Sequence, residues 1–379
     1  MCRRCGSLTD QWLVPLTDPH KQFLAHRSEI DQAIRRVTDS GWYILGPEVE
    51  NFEQEFADFL GVTHGVGVAN GTDAIALALR TLGIGLGDEV ITVAHTAVAT
   101  VAAIEQAGAT PVLVDVDPDY LTLDPSLLGE VLTSRTRAVV PVHLYGQAAD
   151  VTTIRAFCDT HKLAMIEDVA QAHGATWNGS RLGSFGDMAA FSCYPTKNLG
   201  ALGDAGMIVT NDPALAARAR HLRQYGWVER NNSVEAGVNS RLDELQAAVL
   251  SVKLRYLDQG NTRRRVIASS YQAAFADTGW LLPHSREQAM EVFHLYVIQA
   301  DDRQSLQESL ARRGIQAAVH YPIPVHLQPA YASRIRTSAS MARTEQAAKR
   351  VLSLPMFPEL TDQDVTTVTS AVRAIVETR

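Results

Sequence analysis

A single lysine, Lys197, sits in the stretch 191–206, FSCYPTKNLGALGDAG, between a strand-like run and a cluster of glycines. A lysine amine does covalent chemistry with a carbonyl when a dry, structured pocket lowers its pKa, because desolvation disfavours the ammonium form. The same stretch carries a hydroxyl at Ser192, a phenol at Tyr194 and a turn-forming Pro195, and the glycines after the lysine leave room for a bound molecule. Two other places offer complementary chemistry. Asp168 follows the apolar run 163–166, where a buried carboxylate is costly without a cationic partner. Gly71 and Thr72 open a helical pattern behind a short strand, and a helix start presents N–H groups to an anion. Taken singly, these groups also have ordinary structural readings as a solvated lysine, a turn cap and a helix cap.

The elements that must position them alternate between strand and helix. Short apolar runs at 66–69, 90–94, 111–116, 138–142 and 163–166 are separated by helical spacings at 72–82, 97–107, 125–132 and 151–161. Continuous apolar strands joined by helices imply a parallel sheet buried on both faces, with ligands beyond the carboxyl ends of the strands. Asn70, Gly71, Thr72, His95, Thr96, His143, Tyr145, Asp168 and Gln171 all fall at those ends. Upstream, the spacing gives helices over 29–40 and 48–60, with an irregular polar stretch at 13–23 and Trp42–Leu45 expected in the core. Downstream, helices are expected over 213–224, 242–257, 303–313, 341–351 and 361–378, and strands over 291–300 and 316–320. The fold expected is α/β: a large domain with a mostly parallel seven-stranded-type sheet between helices, plus a smaller C-terminal α+β domain. The boundary is drawn between 1–264, an N-terminal arm and the large domain, and 265–379.

Composition narrows the function classes. The 379 residues are 46% hydrophobic and 20% charged, with net charge −8 and 34 basic residues scattered along the chain. That balance argues against a nucleic-acid surface. No apolar run approaches a membrane span, and no hydrophobic segment follows Arg3 and Arg4 as a signal peptide would require. A cytoplasmic protein is the expectation. Cys2 and Cys5 form a CxxC without a second pair, so no metal site is expected, and Cys158 and Cys193 read as small packing residues.

A pyridoxal phosphate enzyme needs a lysine for the aldehyde, a carboxylate beside the pyridine nitrogen, and amides and hydroxyls around the phosphate. Lys197, Asp168, Gly71, Thr72 and Ser192 supply each part. The segments NGTDAIALALRTLGIGLGDEVIT, ATVAAIEQAGATPVLVDVD, IEDVAQAHGA, FSCYPTKNLGALGDAGMIVT and GVNSRLDELQAAVL resemble, in that order, the DegT/StrS-type nucleotide-sugar aminotransferases, fold type I pyridoxal phosphate enzymes. The resemblance implies Lys197 as Schiff-base lysine and proton carrier, Asp168 at the ring nitrogen, and Gln171 against the ring or its hydroxyl. It implies Gly71, Thr72 and Ser192 at the phosphate. It also implies that Asn239 reaches the phosphate held by a neighbouring subunit, hence a homodimer with shared active sites. One departure concerns the segment HTAVAT, where family members commonly stack an aromatic residue on the ring. Ala97 stands at that place, so either His95 takes over the ring face or the stacking is lost.

The reaction implied moves an amino group from L-glutamate to a nucleotide-linked keto-sugar in amino-deoxysugar biosynthesis. The segments GVNSRLDELQAA and AVHYPIPVHLQPAY look more like members that aminate a 3-keto sugar than those acting at C-4, which makes a dTDP-3-oxo-6-deoxyhexose the favoured acceptor. Tyr194, His320, Tyr321 and His326 are the candidate sugar contacts, since imidazole and phenol groups suit hydroxyls and a diphosphate. The alternatives are a C-4 aminotransferase and, in a different class, a non-catalytic binding or regulatory protein on the same scaffold. Lys197 argues against the family's dehydratase branch, which has histidine there.

Overall fold

Residues 12–377 are described in this computed structural model, so Cys2 and Cys5 lie outside the described residues. The apolar runs form an eight-stranded sheet in the order His64–Val68, Gly206–Thr210, Met188–Ser192, Ala164–Asp168, Thr136–Val139, Glu89–Val93, Thr110–Val114, Arg336–Thr337. All neighbours are parallel except around Gly206–Thr210, which runs antiparallel to both of its partners. Successive residues of a strand point to opposite faces, and each face buries its own cluster. Ile91, Val112, Met165 and Phe191 pack with Phe52 and Phe56 on one side, while Val90, Ala138, Ile166 and Ala190 pack under the helix Gly71–Thr81 on the other. Each such fully buried large side chain contributes roughly 1.5–3 kcal/mol.

Seven strands come from the first part of the chain, five of them at the apolar runs of the sequence pattern. The eighth is a pair of residues, Arg336–Thr337, laid beside Val112 and Leu113. A separate cluster of Ile267, Tyr271, Tyr296, Leu306, Leu352 and Val368 forms the core of the C-terminal part. It is built on the antiparallel pair Tyr296–Gln299 and Val351–Leu354 with the helices Leu257–Phe275, Arg303–Ala311 and Asp362–Glu377. Val14 joins this cluster through a bridge to Ile315, and Val325 and Met341 pack on Ala94, Val101 and Leu113 of the large sheet layer. The N-terminal arm and the C-terminal part therefore interleave.

Local differences from the sequence pattern have local causes. The stretch after Leu13 contains a helix, Pro19–Ala25, because the Asp18 carboxylate accepts the His20 and Lys21 N–H groups as an N-cap. The helix expected over 242–257 divides into Glu244–Leu254 and Leu257–Phe275. The strand expected over 316–320 reduces to a single bridge between Ala318 and Ser353. Trp42, Tyr43 and Ile44, expected in the core, are exposed at 59%, 51% and 39%. Ile44 is tied only at its backbone, to Asp243, and the Trp42 indole donates to the Ile44 carbonyl.

Candidate active site

A cavity of about 260 Å³ opens where the strand ends meet the helix start, lined among others by Gly71, Thr72, Asp168, Gln171, Ser192 and Lys197. The helix Gly71–Thr81 is fixed by Asn70, whose side-chain oxygen accepts the Asp73 N–H at 2.8 Å. The first-turn N–H groups of a helix have no partner within it. Gly71 lies so close to Ser192 that an added Cβ would stand 2.5 Å from the Ser192 Cβ, and at Gly206 an added Cβ would stand 2.4 Å from the Asn70 carbonyl carbon. Only glycine lets the helix start and the Ser192 hydroxyl share one small cradle.

Asp168 ends its strand almost fully buried. Its Oδ2 accepts the Thr100 hydroxyl at 2.8 Å, and its Oδ1 accepts the Ala170 N–H at 3.1 Å. Burial still raises its pKa above the ordinary carboxylate value, against the pull of these hydrogen bonds and of Lys197. A carboxylate in this position calls for a cation in the cavity. Lys197 is half-buried on the wall of that cavity, in a turn closed by its own N–H to the Tyr194 carbonyl at 2.8 Å. Desolvation lowers its amine to about 8, with Asp168 and Cys193 pulling the other way. Its charge in turn contributes to the depression of His173, His294 and His320.

Gln171 is held from both ends. Its Oε1 accepts the Tyr145 N–H at 2.8 Å, and its Nε2 donates to the Tyr321 hydroxyl at 3.0 Å. Tyr321 thereby stands one side chain away from the cavity wall, its phenol pushed up to about 12 by burial. Tyr194 is exposed and lines the cavity. His320 turns its ring to Ser353, with Nδ1 2.8 Å from the hydroxyl, while its carbonyl accepts the Tyr145 hydroxyl.

Besides His320 and Tyr321, three more expected site residues do not line the cavity. His95, the candidate for the ring face, is buried behind the wall with Nε2 2.7 Å from the Tyr145 hydroxyl, and burial lowers it to about 4. Ala97 does line the cavity, so that face is bounded by small side chains, Thr96, Ala97 and Ala99. His326 packs against the helix Ala342–Arg350 with Nε2 3.2 Å from Glu345, away from the cavity. Asn239 is exposed in an isolated bridge to Gln224 and does not line this chain's cavity. Conversely, the sequence pattern places Tyr145 only at a strand end, without a role, and does not single out Thr100. The i, i+4 spacing of Thr96 and Thr100 at the head of a helix was the available signal, and the two hydroxyls lie 3.0 Å apart.

The cavity fits pyridoxal phosphate by its own chemistry: an amine, a buried carboxylate short of a cation, and a helix start crowded against a serine. Residues 25–373 match the model of the DegT/DnrJ/EryC1/StrS aminotransferase family. The chain is 47% identical to the dTDP-3-amino-3,4,6-trideoxy-alpha-D-glucose transaminase of Streptomyces venezuelae over 96% of both proteins. It is 48% identical to the erythromycin biosynthesis sensory transduction protein EryC1 of Saccharopolyspora erythraea, over 95% of this chain and 99% of that one. The crystal structure of S. venezuelae DesV in complex with a ketimine intermediate superposes with a TM-score of 0.94 at 48% identity, covering 96% of this chain and 98% of that one.

Proposed function

The chain belongs to the DegT/DnrJ/EryC1/StrS aminotransferase family, and from that premise we propose that it is a pyridoxal phosphate-dependent aminotransferase that places an amino group on C-3 of a nucleotide-linked keto-sugar. The acceptor is a dTDP-3-oxo-6-deoxyhexose, in keeping with the 3-amino product in the name of the S. venezuelae relative. The donor is L-glutamate. The observation that carries the reading is the convergence of Lys197, Asp168 and the Gly71 helix start on one cavity. The EryC1 relative bears the name of a sensory transduction protein, but a purely regulatory role leaves the desolvated Lys197 amine without a use.

When bound, pyridoxal phosphate supplies the aldehyde that accepts the donor's amine and the ring that draws electrons from the adjacent carbon. Lys197 would hold that aldehyde, and its amine is the group placed to move a proton to and from the substrate carbon. A pKa near 8 gives the amine a neutral fraction at neutral pH, as both tasks require. Asp168 keeps its negative charge beside the ring nitrogen, and Thr100 and the Ala170 N–H fix which way the carboxylate faces. The N–H groups of the helix at Gly71 and Thr72, with the Ser192 hydroxyl, bind the phosphate. Gln171 lies beside the ring, steadied by the Tyr145 N–H. Tyr194 at the mouth of the cavity is the nearest candidate sugar contact, with Tyr321 behind Gln171.

A homodimer follows from the same reading. Asn239 is exposed and absent from its own chain's cavity, free to serve a neighbour's. The exposed Trp42, Tyr43 and Ile44 lie beside Asp243, a few residues further on, and suit burial against a second copy. The proposal is tested by incubating the purified protein with pyridoxal phosphate, glutamate and a dTDP-3-keto sugar. A visible absorption that glutamate bleaches, and a product with nitrogen on C-3 by NMR, are expected. A protein that stays colourless with added cofactor refutes the enzyme, and amination at C-4 alone refutes the regiochemistry.

A further inference from the structure

The turn that carries Lys197 has a second side. Behind it lies a cavity of about 300 Å³ lined by Asn198, Lys253, Asn261, Arg264 and Glu359, which Lys197 does not line. Asn198, the residue after the lysine, is buried, and its amide is fully used. Its Nδ2 donates to Asn261 Oδ1 at 2.9 Å and to the Val292 carbonyl at 3.1 Å, and its Oδ1 lies 3.1 Å from His294 Nδ1. Both amide protons are spent on the first two partners, so Oδ1 is the acceptor and His294 carries its proton on Nδ1. Burial, with Lys197 nearby, holds His294 well below the usual imidazole pKa, so it is the neutral tautomer with that one donor facing Asn198.

The three partners belong to two walls, Asn261 to the helix Leu257–Phe275 and Val292 and His294 to one segment after it. Asn261 passes the connection on, its Nδ2 donating at 2.9 Å to the His173 carbonyl, two residues beyond Gln171. The Val292 N–H donates to the Gly146 carbonyl at 3.1 Å and the Leu295 N–H to the Tyr145 carbonyl at 3.2 Å. Tyr145 in turn holds Gln171. One primary amide thus joins the lysine turn to the helix Leu257–Phe275 and to the segment that braces Tyr145. Neither a carboxylate nor a methyl group replaces it, since two of its bonds need N–H donors and the third an acceptor.

We propose that Asn198 is a positioning residue: by tying the lysine turn to Asn261, Val292 and His294 at once, it fixes the direction in which Lys197 presents its amine to the cavity. The inference rests on the proposed role of Lys197 and deepens it. If the tie is cut, the turn relaxes, more water reaches the lysine nitrogen, whether free or joined to the cofactor, and its acid–base behaviour moves toward that of an exposed group.

The test titrates the visible absorption of the holoenzyme against pH and measures kcat and KM separately. Asn198→Ala is expected to raise the absorption midpoint by about one pH unit and to lower kcat roughly tenfold or more with KM changed by less than about threefold. His294→Leu, which removes the donor to Oδ1, moves both readouts in the same direction, and His294→Gln, which retains an N–H donor, brings them back toward the wild type. Tyr271→Phe serves as the control, since it removes a buried hydroxyl bonded at 3.0 Å to the Pro355 carbonyl in the C-terminal core and moves neither readout. A folded Asn198→Ala protein with the wild-type midpoint and kcat overturns the proposal. If that variant does not fold, indistinguishable midpoints and kcat values for His294→Leu and His294→Gln overturn it instead. Failure of the wild type to take up cofactor refutes the enzyme reading itself, an outcome separate from either.

Discussion

Lys197 and Lys253 approach one turn from opposite sides, and burial lowers both amines to about 8. Their surroundings give that shared depression opposite meanings. Lys253 is buried, and its Nζ donates to Gln22 Oε1 at 2.9 Å and to the Gly200 carbonyl at 2.6 Å, with the Glu359 charge in support. Among the described residues no hydrogen bond is made to the Lys197 amine, which faces a cavity and feels Asp168 only through the field. A desolvated amine with its donors satisfied is a clamp; one left unsatisfied beside open space is a nucleophile. A lowered pKa alone does not separate the two, whereas the hydrogen-bond inventory does.

Substitution should separate them by orders of magnitude. Lys197→Ala is expected to abolish the visible absorption and to reduce turnover by about a thousandfold or more, while the protein still folds, since the change removes a desolvated ammonium with no partner. Turnover above about a tenth of wild type would erase the distinction. Asp168→Asn removes the charge proposed to complement the ring nitrogen without disturbing the shape, so kcat/KM should fall on the order of a hundredfold with cofactor still taken up. Lys253→Met keeps the aliphatic stem and leaves the Gly200 carbonyl without its donor, a loss of about 1–3 kcal/mol in stability. Its kcat should fall only roughly threefold to tenfold, through the turn, with the visible absorption retained. Calorimetry and steady-state kinetics on the same samples check the pair.

The sequence distinguished these two lysines only in part. Lys197 stood out because glycines and hydroxyls surround it within a few residues, and because Asp168 and Gly71 fall at predicted strand ends. Strand positions and the carboxyl-end placement followed from apolar runs, which local periodicity reports well. Lys253 read as one more helix residue, since its acceptors come from Gln22 and Gly200, far away in the chain. His95 was misplaced for the same reason. Its partner Tyr145 approaches from another strand end, at a backbone φ of 63° that the sequence pattern does not announce. Trp42–Ile44 read as core because apolar residues are usually buried, and an exposed apolar run looks the same in sequence as an interior one. Contacts between distant segments, more than element types, were what stayed hidden.

The smallest expected effect sharpens the comparison through pH. An unfolded lysine titrates near about 10.4, and Lys253 in the folded protein titrates at about 8. Between those values the unfolded chain binds the extra proton, so the Lys253 contribution to stability rises with pH and is lost as pH falls through about 8. The total stability curve hides this, because the buried thiols Cys158 and Cys193, raised to about 12, contribute a slope of opposite sign. The difference between wild type and Lys253→Met cancels Cys158 and leaves of Cys193 only its interaction with Lys253. That difference in Tm should grow between about pH 8 and pH 10, on the order of 2 °C. Lys197→Ala should show a slope of the same sign in the cofactor-free protein, where its amine is free to titrate. With cofactor bound, the Lys253 slope should persist, because its amine is spent on protein acceptors whether or not the cavity in front is filled. A Lys253 slope that disappears on adding cofactor would mean that the two amines are coupled through the turn rather than merely sharing it.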